Sequence, residues 1–73
     1  MHDDPMSYLE QNINHHITVY TVIGDTYEGV LCGFDIYANV LLSNCMINSE
    51  VKASLCFING VQITHFDSSP SYK

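Results

Sequence analysis

The stretch Thr26-Tyr27-Glu28-Gly29-Val30-Leu31-Cys32-Gly33-Phe34-Asp35-Ile36-Tyr37-Ala38-Asn39-Val40-Leu41-Leu42 decides how this chain folds. Residues 26–34 read as a strand, yet glycines stand inside it at positions 29 and 33. A glycine within a strand marks a sharp bend or the close approach of another backbone. Two of them four residues apart predict a strand that curls around a small barrel. Asp35-Ile36-Tyr37-Ala38 then makes a short polar and aromatic connection, and Val40-Leu41-Leu42 opens the next strand.

Upstream of this stretch the residue pattern has a period of two. Ile17, Val19, Thr21 and Ile23 point one way, and His16, Thr18, Tyr20 and Val22 the other. These are the β-branched and aromatic residues that strands favour. Gly24-Asp25 predicts a tight two-residue hairpin between the first two strands. Earlier still, Asp4 followed by Pro5 reads as an N-cap and a first helical position. Met6, Leu9 and Ile13 repeat at helical spacing, which predicts a short helix over 5–13.

Downstream, Ser43 to Glu50 reads as a variable loop or hairpin. Val51, Ala53, Leu55 and Phe57 then alternate with Lys52, Ser54, Cys56 and Ile58 in a fourth strand. Asn59-Gly60 carries the strongest hairpin signal of the chain, that of a type I′ turn, and a short fifth strand follows over 61–66. The expected fold is mostly β: a short N-terminal α-helix, then a strongly bent five-stranded antiparallel sheet forming a small open barrel over residues 5–66. Residues 1–4 and the Ser-rich stretch 67–73 are expected to be flexible termini.

A chain of 73 residues makes one domain. A domain this small buries only about 60% of its unfolded surface, so such a chain usually relies on a disulfide, a metal or a partner. Cys32, Cys45 and Cys56 are odd in number and form no CxxC pair, which excludes a disulfide framework and a zinc site. They are expected as reduced, mostly half-buried thiols of an intracellular protein. No apolar run approaches the length of a membrane span, and Met1-His2-Asp3-Asp4-Pro5 does not read as a signal peptide, so none is expected. A partner subunit is what remains. Strands four and five are expected to leave pairing edges that would recruit it.

With these residues in place, the chain resembles the Sm and Sm-like (LSm) family. The first motif of that family is matched by Ile17-Thr18-Val19, Gly24, Tyr27, Gly29, Leu31 and Asp35-Ile36-Tyr37-Ala38-Asn39-Val40-Leu41-Leu42. The second aligns with Ile58-Asn59-Gly60 and with Ile63 to Phe66, and Asn59 stands where the family usually has an arginine. Pro5-Met6-Ser7-Tyr8-Leu9 and Gly24-Asp25-Thr26-Tyr27-Glu28-Gly29 look most like the F-type members, Sm F and the sixth LSm protein. The Asn-Gly turn looks like the fifth LSm protein, and Leu9 to Ile13 somewhat like the eighth.

The resemblance implies a ring subunit that holds U-rich single-stranded RNA in a central pore. It implies a role in pre-mRNA splicing or mRNA decay, with a nuclear location and, for a decay ring, a cytoplasmic one. Tyr37 can stack on one base, and the Asn39 amide has the donor and acceptor to pair with the edge of uracil. Asp35 would buttress Asn39 or cap the loop backbone. Asn59 and Gly60 would line the same pocket, or else form only a turn.

Charge bears on the partners. Eight acids against two lysines give a net charge of −6, the reverse of a phosphate-binding surface. That balance favours pairing with basic neighbours and disfavours a homo-ring. His15 and His16 are adjacent and would face opposite sides of a strand, so no metal site is expected, and no cofactor. No nucleophile stands in a His/Asp arrangement, so no enzymatic activity is expected either.

Overall fold

A computed structural model describes residues 4–68. Helix α1 (Pro5–Gln11) leads into β1 (His16–Thr21), β2 (Thr26–Phe34), β3 (Val40–Ile47) and β4 (Val51–Ile58). A 3-10 turn (Gly60–Gln62) follows, then β5 (Ile63–Ser68). The strands form one five-stranded antiparallel sheet in the order β4-β3-β2-β1-β5. β4 and β5 are consecutive in the chain but end up on opposite edges of the sheet. The fold is therefore the expected helix followed by a bent, open barrel.

Local chemistry sets the helix. The Asp4 carboxylate accepts the Met6 N–H at 3.3 Å, and Pro5 occupies the first turn, where its missing N–H costs nothing. The helix ends at Gln11 rather than at 13. Asn12 turns its side-chain amide onto the Tyr8 carbonyl at 2.9 Å, competing with the next backbone bond, and becomes the C-cap. Leu9 is fully buried, and Met6 and Ile13 pack against the same core.

β1 ends at Thr21, and Ile23 is 69% exposed rather than aligned with buried Ile17 and Val19. The cause is the Thr21 hydroxyl, which donates to the Asp25 carbonyl at 3.0 Å and accepts the Asp25 N–H at 3.1 Å. This closes a four-residue loop over 22–25 in place of the expected two-residue hairpin. Gly24, with φ +96°, supplies its left-handed step.

The bend in β2 sits where the glycines predicted it. Its pairing with β3 slips between Glu28 and Val30 and again between Leu31 and Gly33. A methyl on Gly29 would meet the Ser43 carbonyl oxygen at 2.8 Å, so this is a true backbone crossing. At Gly33 the nearest atom would be Leu41 Cβ at 3.9 Å, an ordinary contact. Only the first glycine is demanded by close approach.

Of the loop or hairpin expected over 43–50, the structure forms the hairpin: residues 43–47 continue β3, and the connection to β4 is only Asn48-Ser49-Glu50. Asn48 and Ser49 have φ +52° and +60°, the sign that a type I′ turn requires. Asn59 has φ −67° and leads into the 3-10 turn, so Asn59-Gly60 makes no hairpin. β5 instead crosses the barrel to pair with β1, and it spans 63–68 rather than 61–66. Asp67 and Ser68 are thus strand residues opposite Thr18 and Ile17, and Asp4 caps the helix, where flexible termini were expected. The remaining terminal residues of that expectation, 1–3 and 69–73, lie outside the described ones.

Leu9, Ile17, Val19, Leu31, Val40 and Leu42 are completely buried at the centre, each worth about 1.5–3 kcal/mol. Cys45 is buried with them, Cys56 is half-buried and Cys32 is exposed, and all three are free thiols. Burial pushes the Cys45 thiol up to about 12, with the Cys56 side chain adding to the effect. The thiolate, the reactive form, is therefore suppressed there. No described helix is long and apolar enough to cross a membrane.

Candidate functional site

The connection between β2 and β3 is built around one carboxylate. Asp35 Oδ1 accepts the backbone N–H groups of Tyr37 at 2.9 Å and Asn39 at 3.1 Å, while Oδ2 accepts Asn39 Nδ2 at 3.0 Å. The Asp35 carbonyl also accepts the Ala38 N–H at 3.0 Å. Asp35 therefore both caps the loop and buttresses Asn39. The turn is tight enough to force Ala38 to φ +63°, a left-handed step costing about 1–2 kcal/mol.

The Asn39 side chain extends this network across the fold. Its Oδ1 accepts the Gly60 N–H at 2.6 Å, 21 residues away in sequence. The orientation of the amide is dictated, because only NH₂ can face a carboxylate and only oxygen can face an N–H. One amide proton and one oxygen lone pair of Asn39 remain for a ligand. Gly60 is pressed against the loop: a methyl there would sit 2.9 Å from the Ala38 carbonyl and closer still to the Tyr37 carbonyl oxygen. Asp35, Asn39 and Gly60 form one clasp.

Tyr37 stands at the top of this clasp with its side chain 73% exposed, beside Ile36 at 79%. Asn59 is exposed, and its side chain makes no capping hydrogen bond to the turn that follows. The structure thus brings Asp35, Tyr37, Asn39 and Gly60 together, with Asn59 next in the chain. Gly60 enters through its backbone N–H and its lack of a side chain.

Residues outside the motif complete the surroundings. A shallow, largely apolar hollow of about 230 Å³ lies beside the clasp, lined by Gly33, Phe34, Asp35, Asn39, Val40, Leu41 and Phe57. Phe57 could have been found from the sequence, because it shares strand parity with Val51, Ala53 and Leu55 and is the largest of them. A second hollow of about 300 Å³ runs along β5 past Pro5, Tyr8, Ala38, Gly60, Ile63 and Phe66. His65 stacks on Tyr20, with ring centroids 4.3 Å apart. Among the described residues no group of three or more His, Cys, Asp or Glu could hold a metal ion.

The electrostatics of the clasp are unusual for a nucleic-acid site. The hydrogen bond from the Asn39 side chain is the largest influence on the Asp35 carboxyl; desolvation opposes it, and the Tyr37 and Asn39 backbone bonds add to it, so the carboxyl is held below its usual range. A depressed pKa means that this group favours the folded loop above the ordinary carboxylate range and stops doing so as pH falls through its own value. Acidification through that lowered value is accordingly expected to release the Asn39 and Tyr37 amides. NMR shifts of those amides should move together in acid, and a flat titration would contradict the clasp.

Residues 7–66 match the family model of the LSM domain. The chain belongs to the LSM, or Sm-like, family. Comparison with curated proteins gives no significant match. Among solved structures, this Sm-like chain is 28% identical to an Sm-like archaeal protein from Pyrobaculum aerophilum, with a TM-score of 0.83 over 89% of its length. The match covers 51% of that protein, so the chain spans about half of it. It also superimposes on the Sm protein of Pyrococcus abyssii solved in complex with a uridine heptamer, at 21% identity and TM-score 0.83, covering 92% and 100% of the two chains. A heptameric archaeal Sm protein matches at 19% identity and TM-score 0.81, covering 88% and 98%. The last two likenesses show the fold alone. None of them supports an F-type paralog.

Proposed function

We propose that the chain is a non-enzymatic subunit of a hetero-oligomeric, seven-membered Sm-type ring that binds U-rich single-stranded RNA in its pore. The observation that carries this reading is the clasp. It leaves one donor and one acceptor of Asn39 presented beside an exposed Tyr37. That pair matches the edge of a uracil, with the tyrosine ring available to stack on the base. Two archaeal Sm proteins, one solved with a uridine heptamer and one heptameric, support the seven-membered ring and the U-rich ligand.

No lysine or arginine lies in the clasp, and Lys52 is the single lysine among the described residues. The site is suited to a base rather than a phosphate, and cations from neighbouring subunits would supply the long-range field. The free edges of β4 and β5 are where those neighbours would add their own strands. Acidity at −6 favours basic neighbours over copies of the same chain. Within this reading the ring acts in pre-mRNA splicing or in mRNA decay, with the splicing role placing it in the nucleus.

The test is RNA affinity of the reconstituted ring. Replacing Tyr37 by alanine should weaken binding of a U-rich strand by about 1–3 kcal/mol, with little change in its salt dependence. The purified subunit alone should bind the same RNA poorly. If Tyr37→Ala and Asn39→Ala both leave the affinity of the ring unchanged, the chain is a structural ring subunit with a vestigial pocket. The absence of a cation at the clasp is what favours that second reading.

A further inference from the structure

Asn59-Gly60 forms no hairpin, yet its chemistry matters in another way. An asparagine followed by glycine is the pairing most open to cyclisation, because glycine has no side chain to shield its amide nitrogen. Asn59 is the one asparagine of this chain that precedes glycine. Its side chain is exposed and makes no capping hydrogen bond. The fold cannot escape the pairing by enlarging Gly60, since any Cβ there would run into the Tyr37 and Ala38 backbone. The nitrogen that would attack is that of Gly60, and its proton is engaged by Asn39 Oδ1 at 2.6 Å in a partly buried setting.

We infer that Asn59 is a site of spontaneous deamidation and that the Asn39 side chain suppresses the reaction in the folded chain. Hydroxide removes the Gly60 amide proton, and the nitrogen attacks Cγ of Asn59. A C–N bond forms, the Cγ–Nδ2 bond breaks, and the side-chain amide leaves as ammonia with a proton returned by water. Water then opens the five-membered imide at either carbonyl and leaves an aspartyl or isoaspartyl residue. No electrons are transferred, and water is the only co-reactant.

Asn39 opposes the first two steps. Deprotonated, the Gly60 nitrogen would face the Asn39 oxygen with no proton between them, which is repulsive. To attack, it must also turn away from Asn39 toward its own neighbour. Asn48, which precedes Ser49, offers an internal comparison. Its amide donates to Asp25 Oδ1 at 3.0 Å and accepts the Thr26 N–H at 2.8 Å, so its side chain is tied on both ends and Asn39 plays no part. Conversion at Asn59 would add one negative charge beside the clasp, and this chemistry stands whether or not the clasp binds RNA.

The experiment follows the full chain in mildly alkaline buffer by peptide mass mapping, with isoaspartate-specific enzymatic methylation as a second readout. Asn39→Ala is expected to speed modification at Asn59 about tenfold, the population change that the loss of one hydrogen bond represents, and to leave Asn48 unchanged. Equal rates at Asn59 in the two proteins would overturn the inference. So would an equal rise at Asn48 and Asn59, because the whole fold and not this bond would then be the guard. Hydrogen exchange in the unsubstituted chain is independent of how the variant folds. The Gly60 amide should exchange at least tenfold more slowly than in an unstructured peptide of the same sequence, and free exchange would overturn the proposal.

Discussion

Replacing Gly60 by alanine is expected to destabilise the chain by about 3 kcal/mol and to lower its thermal midpoint by on the order of 15 °C. The added methyl would meet the Tyr37 carbonyl oxygen and the Ala38 carbonyl. These are backbone atoms of a loop already fixed by three hydrogen bonds to the Asp35 carboxylate, so no flexible side chain can give way. Moving the loop instead would stretch the bond between Asn39 and Gly60 and expose part of the core beneath Ala38. A domain of this size has stability to spare of only a few kcal/mol, and the variant should sit near the edge of folding. Gly33→Ala is the matching control. Its methyl would find only Leu41 Cβ at 3.9 Å, and replacing a strand glycine by alanine tends to stabilise, by about 0.5–1 kcal/mol. Thermal unfolding of the two variants side by side measures the difference. Equal midpoints would show that the clasp is loose.

The second large effect concerns assembly and rests on the proposed ring. Leu55 and Phe57 are 59% and 64% exposed on β4, while Cys56 and Ile58 of the same strand face the core. Two large apolar side chains side by side on a terminal strand are an unusual load for a free surface. Changing Phe57 to lysine should leave the isolated chain folded, because the side chain contributes little to its core. In the ring it would place an unpaired charge where an apolar anchor is expected. Such anchors are worth 2 kcal/mol or more each, or roughly thirtyfold in affinity, and a closed ring needs every interface at once. The mass of the complex formed with co-expressed neighbour subunits should fall to that of fragments. Gln11→Lys, which adds the same charge on an exposed helix position, should leave the mass unchanged. Intact rings carrying Phe57→Lys would remove β4 from the interface.

What could be read from the sequence was local. Asp4-Pro5 set the start of the helix because the cap and the proline act within one turn. The period of two in β1 and the bend at Gly29 were legible because they depend on neighbours along the strand. The Asp35-to-Asn39 loop was legible for the same reason, since its bonds span only two to four residues.

The tertiary structure decided the rest, in one place against a local preference. Asn59-Gly60 has the turn propensity of a hairpin, yet β5 pairs with β1, and the primed turn falls to Asn48-Ser49. A turn preference is worth about 1 kcal/mol or less, and a strand's worth of ladder bonds with the half-buried Ile63 and Phe66 packed on the core outweighs it. The apolar parity of β4 was plain in the sequence, but which side faced the core was not. Ile58 and Cys56 won that place because they lie opposite the buried Val40 and Leu42 of β3. The bond from Asn39 to Gly60 turns a short loop into a site. It joins residues 21 apart, and only the curl of the whole sheet brings them within 2.6 Å.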